Sequence, residues 1–410
     1  MKEHKYFLLG IDLGGTKLRF ILADYENGNI TNPLGDRISK ISIDSPLLEK
    51  EGIFDNEYFS KIPDSRKVSA YIIKKLHEYL ENLGIPKNRI KGIGISVAGK
   101  IQKDRRFIGS NVPIKYAVKK EGYYGINLIS ELAGTFPKNI KIAIENDATC
   151  AGIAQGIYYK YMGIDPDTTF YVTVGTGIGG GGPKRDVDEI GHIIMDGAFP
   201  PLAVVCGCGA TGCVETYASG EGLKNQALSI LNFFMNDPET FKQFQTFENI
   251  RNEKKYDFRH LIDHSILKPL YLEKKEITAK QIFDSANLEN PQNPPDPFAL
   301  YLIETAAERI AQALISLSNI HGIERFGFGG SVAIQNPKFL NIIQEKISSI
   351  YKCSEDIFKK KLLIEISPLG ESANDYGALF LVVPPDCEKK WIDTIIRMRG
   401  KSAHSFSQIP

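Results

Sequence analysis

Between Glu189 and Glu215 the chain gathers its most reactive side chains: EIGH, an apolar and glycine-containing loop, then CGCGATGCVE. His192, Cys206, Cys208 and Cys213 offer an imidazole and three thiols, the ligand set that closes a tetrahedral zinc site. Cysteines at this spacing converge only on a tight knuckle, and Gly207, Gly209 and Gly212 let the backbone turn there without steric cost. Free cysteines in a loop are the plainer reading, and the flanking histidine weighs against it. A metal that pins His192 and Cys213 also pins Glu189 and Glu215, the carboxylates that flank the stretch.

Three further stretches place polar groups at the ends of apolar strands. In YFLLGIDLGGTKLRFILAD, from Tyr6, a strand reaches a turn at Gly14 and Gly15 and returns from Leu18 to Ala23. The glycines free backbone amides to face an anion, and Thr16 and Lys17 add a hydroxyl and a cation. Asp12, ending a buried strand, is well placed only if it faces a cleft, where it would hold a magnesium ion through water beside phosphates. A plain hairpin is the alternative, and the string is not a Walker A loop, which needs GxxxxGK ahead of a helix. TFYVTVGTGIGGGG echoes the same plan and makes Thr176 and Gly177 candidate nucleotide contacts, which suggests a duplicated β-rich core with a nucleotide held between the halves. KIAIENDATCAGIAQG runs a strand into Asn146 and Asp147 and then a small-residue helix, where either residue could simply cap the helix.

The positioning elements follow from periodicity. Val68 to Leu83 has the apolar spacing of an amphipathic helix ended by Gly84, and IKGIGISVAG reads as a short buried parallel strand. Helices are expected from Glu221 to Asn236, from Ala299 to Ile320 and from Ser372. IERFGFGGSVA is a strand ending in glycines, with Gly329 and Gly330 permitting close backbone approach. The segments 44–66 and 237–272 stand apart as excursions, the second an added lobe, a lid or an oligomer contact. The tail from Pro384 is polar enough to be partly disordered or to dock on a neighbour.

Size and composition bound the function. At 410 residues the chain reads as two domains, and 42% hydrophobic with 24% charged residues is ordinary for a soluble globular protein. A net charge of +1 gives no field that recommends nucleic acid. The N-terminal apolar run meets Asp12 too soon for a secretion signal, and no stretch has the apolar length of a membrane span. Six cysteines, three of them in the knuckle, argue against a disulfide framework and for a cytoplasmic location.

The pattern ExGH followed by CxCGxxGCxE resembles the signature of the ROK family of repressors, open reading frames and kinases, and DLGGTK resembles the first phosphate loop of sugar kinases with the actin-like ATPase fold. The resemblance covers Tyr6 to Val383 with the motifs in the family's order. The loop between His192 and Cys206 is longer than usual and holds Pro200 and Pro201, and Ala98 stands where the family often has proline. The resemblance implies an α/β, two-domain actin-like (ribonuclease H-like) fold with a cleft between a small domain, 1–157 plus 374–390, and a large zinc-bearing domain, 158–373. It implies Asp147 as catalytic base; Asn111, Asn146, Asp147, Glu189, His192 and Glu215 as sugar ligands; and the glycines at 329 and 330 near the adenosine of ATP. The expected activity is ATP- and magnesium-dependent phosphorylation of a hexose 6-hydroxyl, glucose first, with N-acetylmannosamine, N-acetylglucosamine and fructose meeting similar residues. A homodimer or homotetramer is the family precedent. A repressor would carry a winged helix ahead of the first phosphate turn, and about five residues precede the strand that leads into that turn; intact Asp147 and DLGGTK argue against a silent sugar sensor.

Overall fold

The strand FLLGIDL, β1 (Phe7–Leu13), is buried along its whole length, as its unbroken apolar run requires. It is the hub of a five-stranded sheet in the first of two units. Its hairpin partner β2 (Lys17–Asp24) pairs antiparallel with it, as β3 (Lys40–Asp44) does with β2, while β4 (Ile90–Val97) and β5 (Lys141–Asn146) follow in parallel on the other side. A computed structural model describes residues 5–14, 17–25, 40–44, 54, 57–108, 117–120, 123–183, 189–195, 204–251, 256–286, 294–351 and 362–400. The chain divides into unit 1, Met1–Pro166, Gly181–Val187 and Ser372–Pro410, and unit 2, Asp167–Gly180 and Asp188–Glu371.

In unit 1 the helix expected from Val68 begins earlier, at Asp64, because Pro63 and the acidic Asp64 suit a helix start. Val68, Ile72, Leu76 and Leu80 form its buried face. The helices Asp147–Tyr161 and Ala373–Phe380 pack closely enough to exclude side chains. A Cβ at Gly377 would lie 2.1 Å from the Cys150 carbonyl oxygen, and one at Gly94 of β4 would lie 1.7 Å from that of Ala378. Within the polar tail after Pro384, Glu388–Gly400 forms a helix. Its few apolar residues share one face: Trp391, Ile392 and Ile395 are fully buried, and Trp391 lies 6.0 Å from Phe380. The burial of one large aromatic outweighs the segment's average polarity. Residues 401–410 fall outside the described set.

Unit 2 repeats the plan with fewer strands. Its sheet runs β7 (Ile178–Gly181), β6 (Thr169–Val174), β8 (Arg325–Gly329), β9 (Leu363–Ile366), with β6, β8 and β9 parallel. The Pro297–His321 helix is fixed at its start by Asp296, whose Oδ1 accepts from the amides of Phe298 (3.0 Å) and Ala299 (2.9 Å). The excursion after Asn236 folds as three helices, Pro238–Arg251, Phe258–Asp263 and Leu267–Leu272. Phe258 packs on Phe244 within it (4.7 Å), and it is sewn to the Pro297–His321 helix by Phe258 on Tyr301 (4.9 Å) and by the Tyr301 hydroxyl, which donates to buried Glu248 at 2.8 Å. Among the described residues no helix is long and apolar enough to cross a membrane.

Candidate functional site

In unit 1 the polar groups collect where β1, β4 and β5 end. Asp12 is 2% exposed, so its charge must be matched. Arg19, opposite it in the hairpin register, donates through Nε at 2.8 Å and through Nη2 to Asp12 Oδ2, and Ser96 Oγ donates to Oδ1 at 2.8 Å. Asp375, on the Ala373–Phe380 helix, lies 3.6 Å from Arg19 Nε. Burial works against the guanidinium's charge, but Asp12, then Asp375 and more weakly Asp147 outweigh it and hold Arg19 above its ordinary value.

Asn146 is the N-cap of the Asp147–Tyr161 helix. Its Oδ1 accepts from Ala148 N (3.0 Å) and Thr149 N (3.2 Å), and its Nδ2 donates to Gly99 O at 3.1 Å. Capping uses most of this amide and leaves one of its N–H groups for a ligand. Asp147 opens the helix half-buried and accepts from Ala148 N at 2.8 Å, so a carboxylate is held at a helix N-terminus at the end of a strand. Asn111, Gly15 and Thr16 lie outside the described residues; Gly14 N bonds to Lys17 O at 2.9 Å across the turn, and Lys17 is exposed.

In unit 2 the knuckle is formed as its glycines allow. Gly209 and Gly212 take φ of 90° and 78°, Cys206 N bonds to Ala210 O at 2.8 Å, and Ile194 bridges to Cys213. The ligand atoms of His192, Cys206, Cys208 and Cys213 lie within 4.8 Å of one another. Cys208 Sγ is 3.7 Å from Cys213 Sγ, and Cys206 Sγ is 3.5 Å from His192 Nδ1. A tetrahedral ion with Zn–S near ~2.3 Å has S···S edges of roughly 3.7 Å, so the four donors fit a zinc-sized cation. Burial pushes the Cys213 thiol up to about 12 and raises Cys206, while a hydrogen bond involving the Ala210 backbone lowers Cys208. A cation is what would turn the two buried thiols into thiolates at neutral pH.

The knuckle also reaches the glycine turn. Glu215 Oε2 accepts from Ile178 N at 2.8 Å, and its Oε1 is 3.7 Å from Cys206 Sγ. His192 turns Nδ1 to the cysteines and Nε2 toward Glu189 Oε2, 3.8 Å away. With Nδ1 on a metal, Nε2 carries the proton and becomes a donor to whatever lies beside Glu189. Beyond the turn unit 2 holds a cavity of about 440 Å³. Gly175, Thr176, Gly220, Lys224, Phe283 and Asn336 are among its lining residues. Gly329 and Gly330 stand beside it in sequence, ahead of the lining residues Ser331 and Val332. Arg19, Ser96, Asp375, Lys224 and Phe283 are not marked by motif; counting the hairpin register from the Gly14 turn would have found Arg19.

Sheets built on a hairpin followed by parallel strands, repeated in two units, make this an actin-like ATPase fold. The sequence profile of the ROK family matches residues 48–384, and the chain belongs to that family. A glucokinase of Aeropyrum pernix is 27% identical over 307 residues, 73% of this chain and 81% of the relative. An Escherichia coli N-acetylmannosamine kinase is 39% identical over 100 residues, 22% of this chain and 31% of the relative. Among solved structures, the ROK glucokinase of Streptomyces griseus in complex with glucose and AMPPNP has a TM-score of 0.56 at 22% identity, covering 92% of this chain and 99% of that one.

Proposed function

We propose that the protein is an ATP-dependent hexose kinase that phosphorylates a sugar 6-hydroxyl, with glucose the first substrate to test. The observation that carries this reading is Asp147, a half-buried carboxylate at a helix N-terminus and strand end. Asp147 accepts the hydroxyl proton as the oxygen attacks phosphorus, and Asn146 offers its remaining amide proton to a sugar hydroxyl; Asn111 is a further sugar ligand. In unit 2, Glu189 and the Nε2 edge of His192 hold further hydroxyls, and Glu215 joins them while bracing the Gly175–Ile178 turn.

The nucleoside half of ATP occupies the unit 2 cavity at Thr176, with Gly177, next along the turn, and Gly329 and Gly330 as further nucleotide contacts. Asp12, Gly14, Gly15, Thr16 and Lys17 meet the phosphates, where magnesium, when bound, neutralises charge developing on the transferred group. His192, Cys206, Cys208 and Cys213 hold a structural zinc. The assembly is a cytoplasmic homodimer or homotetramer.

A second reading, an N-acetylmannosamine kinase, is favoured by the higher local identity to that class. ADP release measured over glucose, mannose, fructose, N-acetylmannosamine and N-acetylglucosamine decides between them. Glucose should give the highest kcat/KM; an acetamido sugar ahead of it selects the second reading, and turnover of none of them removes the kinase assignment.

A further inference from the structure

The turn of unit 1 is followed by a cation tied to two segments. Arg19 grips Asp12 of β1 through Nε (2.8 Å) and Nη2, and lies 3.6 Å from Asp375 of the Ala373–Phe380 helix. Asp12 and Asp375 are each 2% exposed, and two buried carboxylates brought together repel unless a cation lies between them. A guanidinium suits that place because it is planar and always charged, and Ser96 of β4 fixes the second Asp12 oxygen at 2.8 Å. Three of the roughly four acceptor sites of Asp12 are thereby engaged.

We propose that Arg19 is a positioning residue for phosphoryl transfer and that Asp375 is the acid that holds it: together they fix Asp12 at the end of β1. The inference rests on the kinase reading and adds to it two residues that no motif marks. A packing role alone would lower stability and leave turnover per folded molecule unchanged. A positioning role lowers kcat, because misplacement of about an ångström at a reacting centre slows transfer by up to roughly a hundredfold.

The test compares Arg19→Gln, Arg19→Lys, Asp375→Asn and the double variant Arg19→Gln/Asp375→Asn in steady-state kinetics and in thermal unfolding. Arg19→Gln should lower kcat by roughly 10- to 100-fold with the hexose KM within about threefold, and Arg19→Lys should recover part of the loss. The double variant should melt close to the worse single variant, because both changes break one unit. Wild-type kcat in a folded Arg19→Gln protein overturns the role of Arg19, and additive losses of Tm overturn that of Asp375. A wild type that phosphorylates no sugar overturns the kinase reading and the catalytic half of this one. The unfolding cycle still decides whether Arg19 and Asp375 act as a unit.

Discussion

Both units carry a glycine turn out of a buried strand, and they brace it by opposite means. In unit 1 the hairpin is held by charge: Arg19 locks Asp12 seven residues back along the strand path, with Asp375 behind it. In unit 2 the turn is held from outside, by Glu215 accepting from Ile178 N, and Glu215 is placed by the cysteine knuckle that precedes it. The difference sorts the chemistry. The first arrangement concentrates acids with a cation, the surroundings a proton acceptor and a phosphate-bound metal need. The second leaves room for a cavity in which Lys224 is already engaged by Glu221 at 3.1 Å, suiting a neutral nucleoside better than a string of phosphates.

The sharpest way to break this division is to remove the acceptor. Asp147→Asn keeps size and the helix start but cannot take a proton, so kcat should fall by about 10²- to 10⁴-fold while calorimetry finds sugar binding within about threefold. Turnover near that of the wild type would falsify the assignment of Asp147 as base and return Asp147 to helix capping.

The next contrast concerns how tightly each sheet is packed. Gly94 lies in the parallel strand beside the unit 1 hairpin, and Gly329 occupies the corresponding strand of unit 2. A Cβ at Gly94 meets a backbone oxygen at 1.7 Å, which cannot rotate away, whereas one at Gly329 meets the Tyr171 hydroxyl at 2.0 Å, the end of a side chain. Gly94→Ala should cost about 3 kcal/mol or more in urea unfolding and Gly329→Ala about 1–2 kcal/mol, with Tyr171→Phe recovering part of the latter. Equal costs would show that the two strands are packed alike.

The knuckle can be opened without touching unit 1. Cys208 is its exposed thiol, so Cys208→Ser should still fold, yet lower zinc affinity by at least about 10-fold, read as metal content after dialysis against a chelator. Because Glu215 is placed by the knuckle, the KM for ATP should rise in the same variant. Wild-type protein purified without any zinc would remove the metal from the account, and an unchanged KM for ATP would cut the link from knuckle to turn.

Much of this was readable from the chain because local patterns carry it. Unbroken apolar runs gave β1, β4 and β6; the glycines of CGCGATGC foretold the two positive-φ turns that bring the cysteines together; Asp296-Pro297 and Gly322 mark the ends of the longest helix. What was missed depends on distant partners. Arg19 sits in an ordinary-looking strand and gains its meaning from Asp375, far along the chain. The excursion after Asn236 reads equally as an added lobe, a lid or an oligomer contact until Phe244 and Phe258 find Tyr301. The tail looked polar because an average hides Trp391, Ile392 and Ile395 on one face. Glu215 shows the limit most plainly: sequence marks it as a sugar ligand, and only the fold reveals its bond to Ile178 N.

The smallest expected effect separates the units by pH. In unit 1, His77 sits 6.5 Å from Phe136 with a buried Nε2 that has no hydrogen-bond partner among the described residues. Burial, and then the charge of Lys87, pushes its imidazole below the ordinary value, with Glu81 opposing more weakly. The unfolded chain therefore takes up this proton more readily than the folded one. The stability that neutral His77 supplies is complete above the ordinary imidazole value, near pH 6.5, and is lost as pH falls through the lower folded value. Tm followed from pH 8 to 5 should thus drop slightly further in the wild type than in His77→Gln, which has no proton to gain. Parallel curves would mean that His77 is as free to ionise in unit 1 as in the unfolded chain, and that the burial seen around it carries no electrostatic cost.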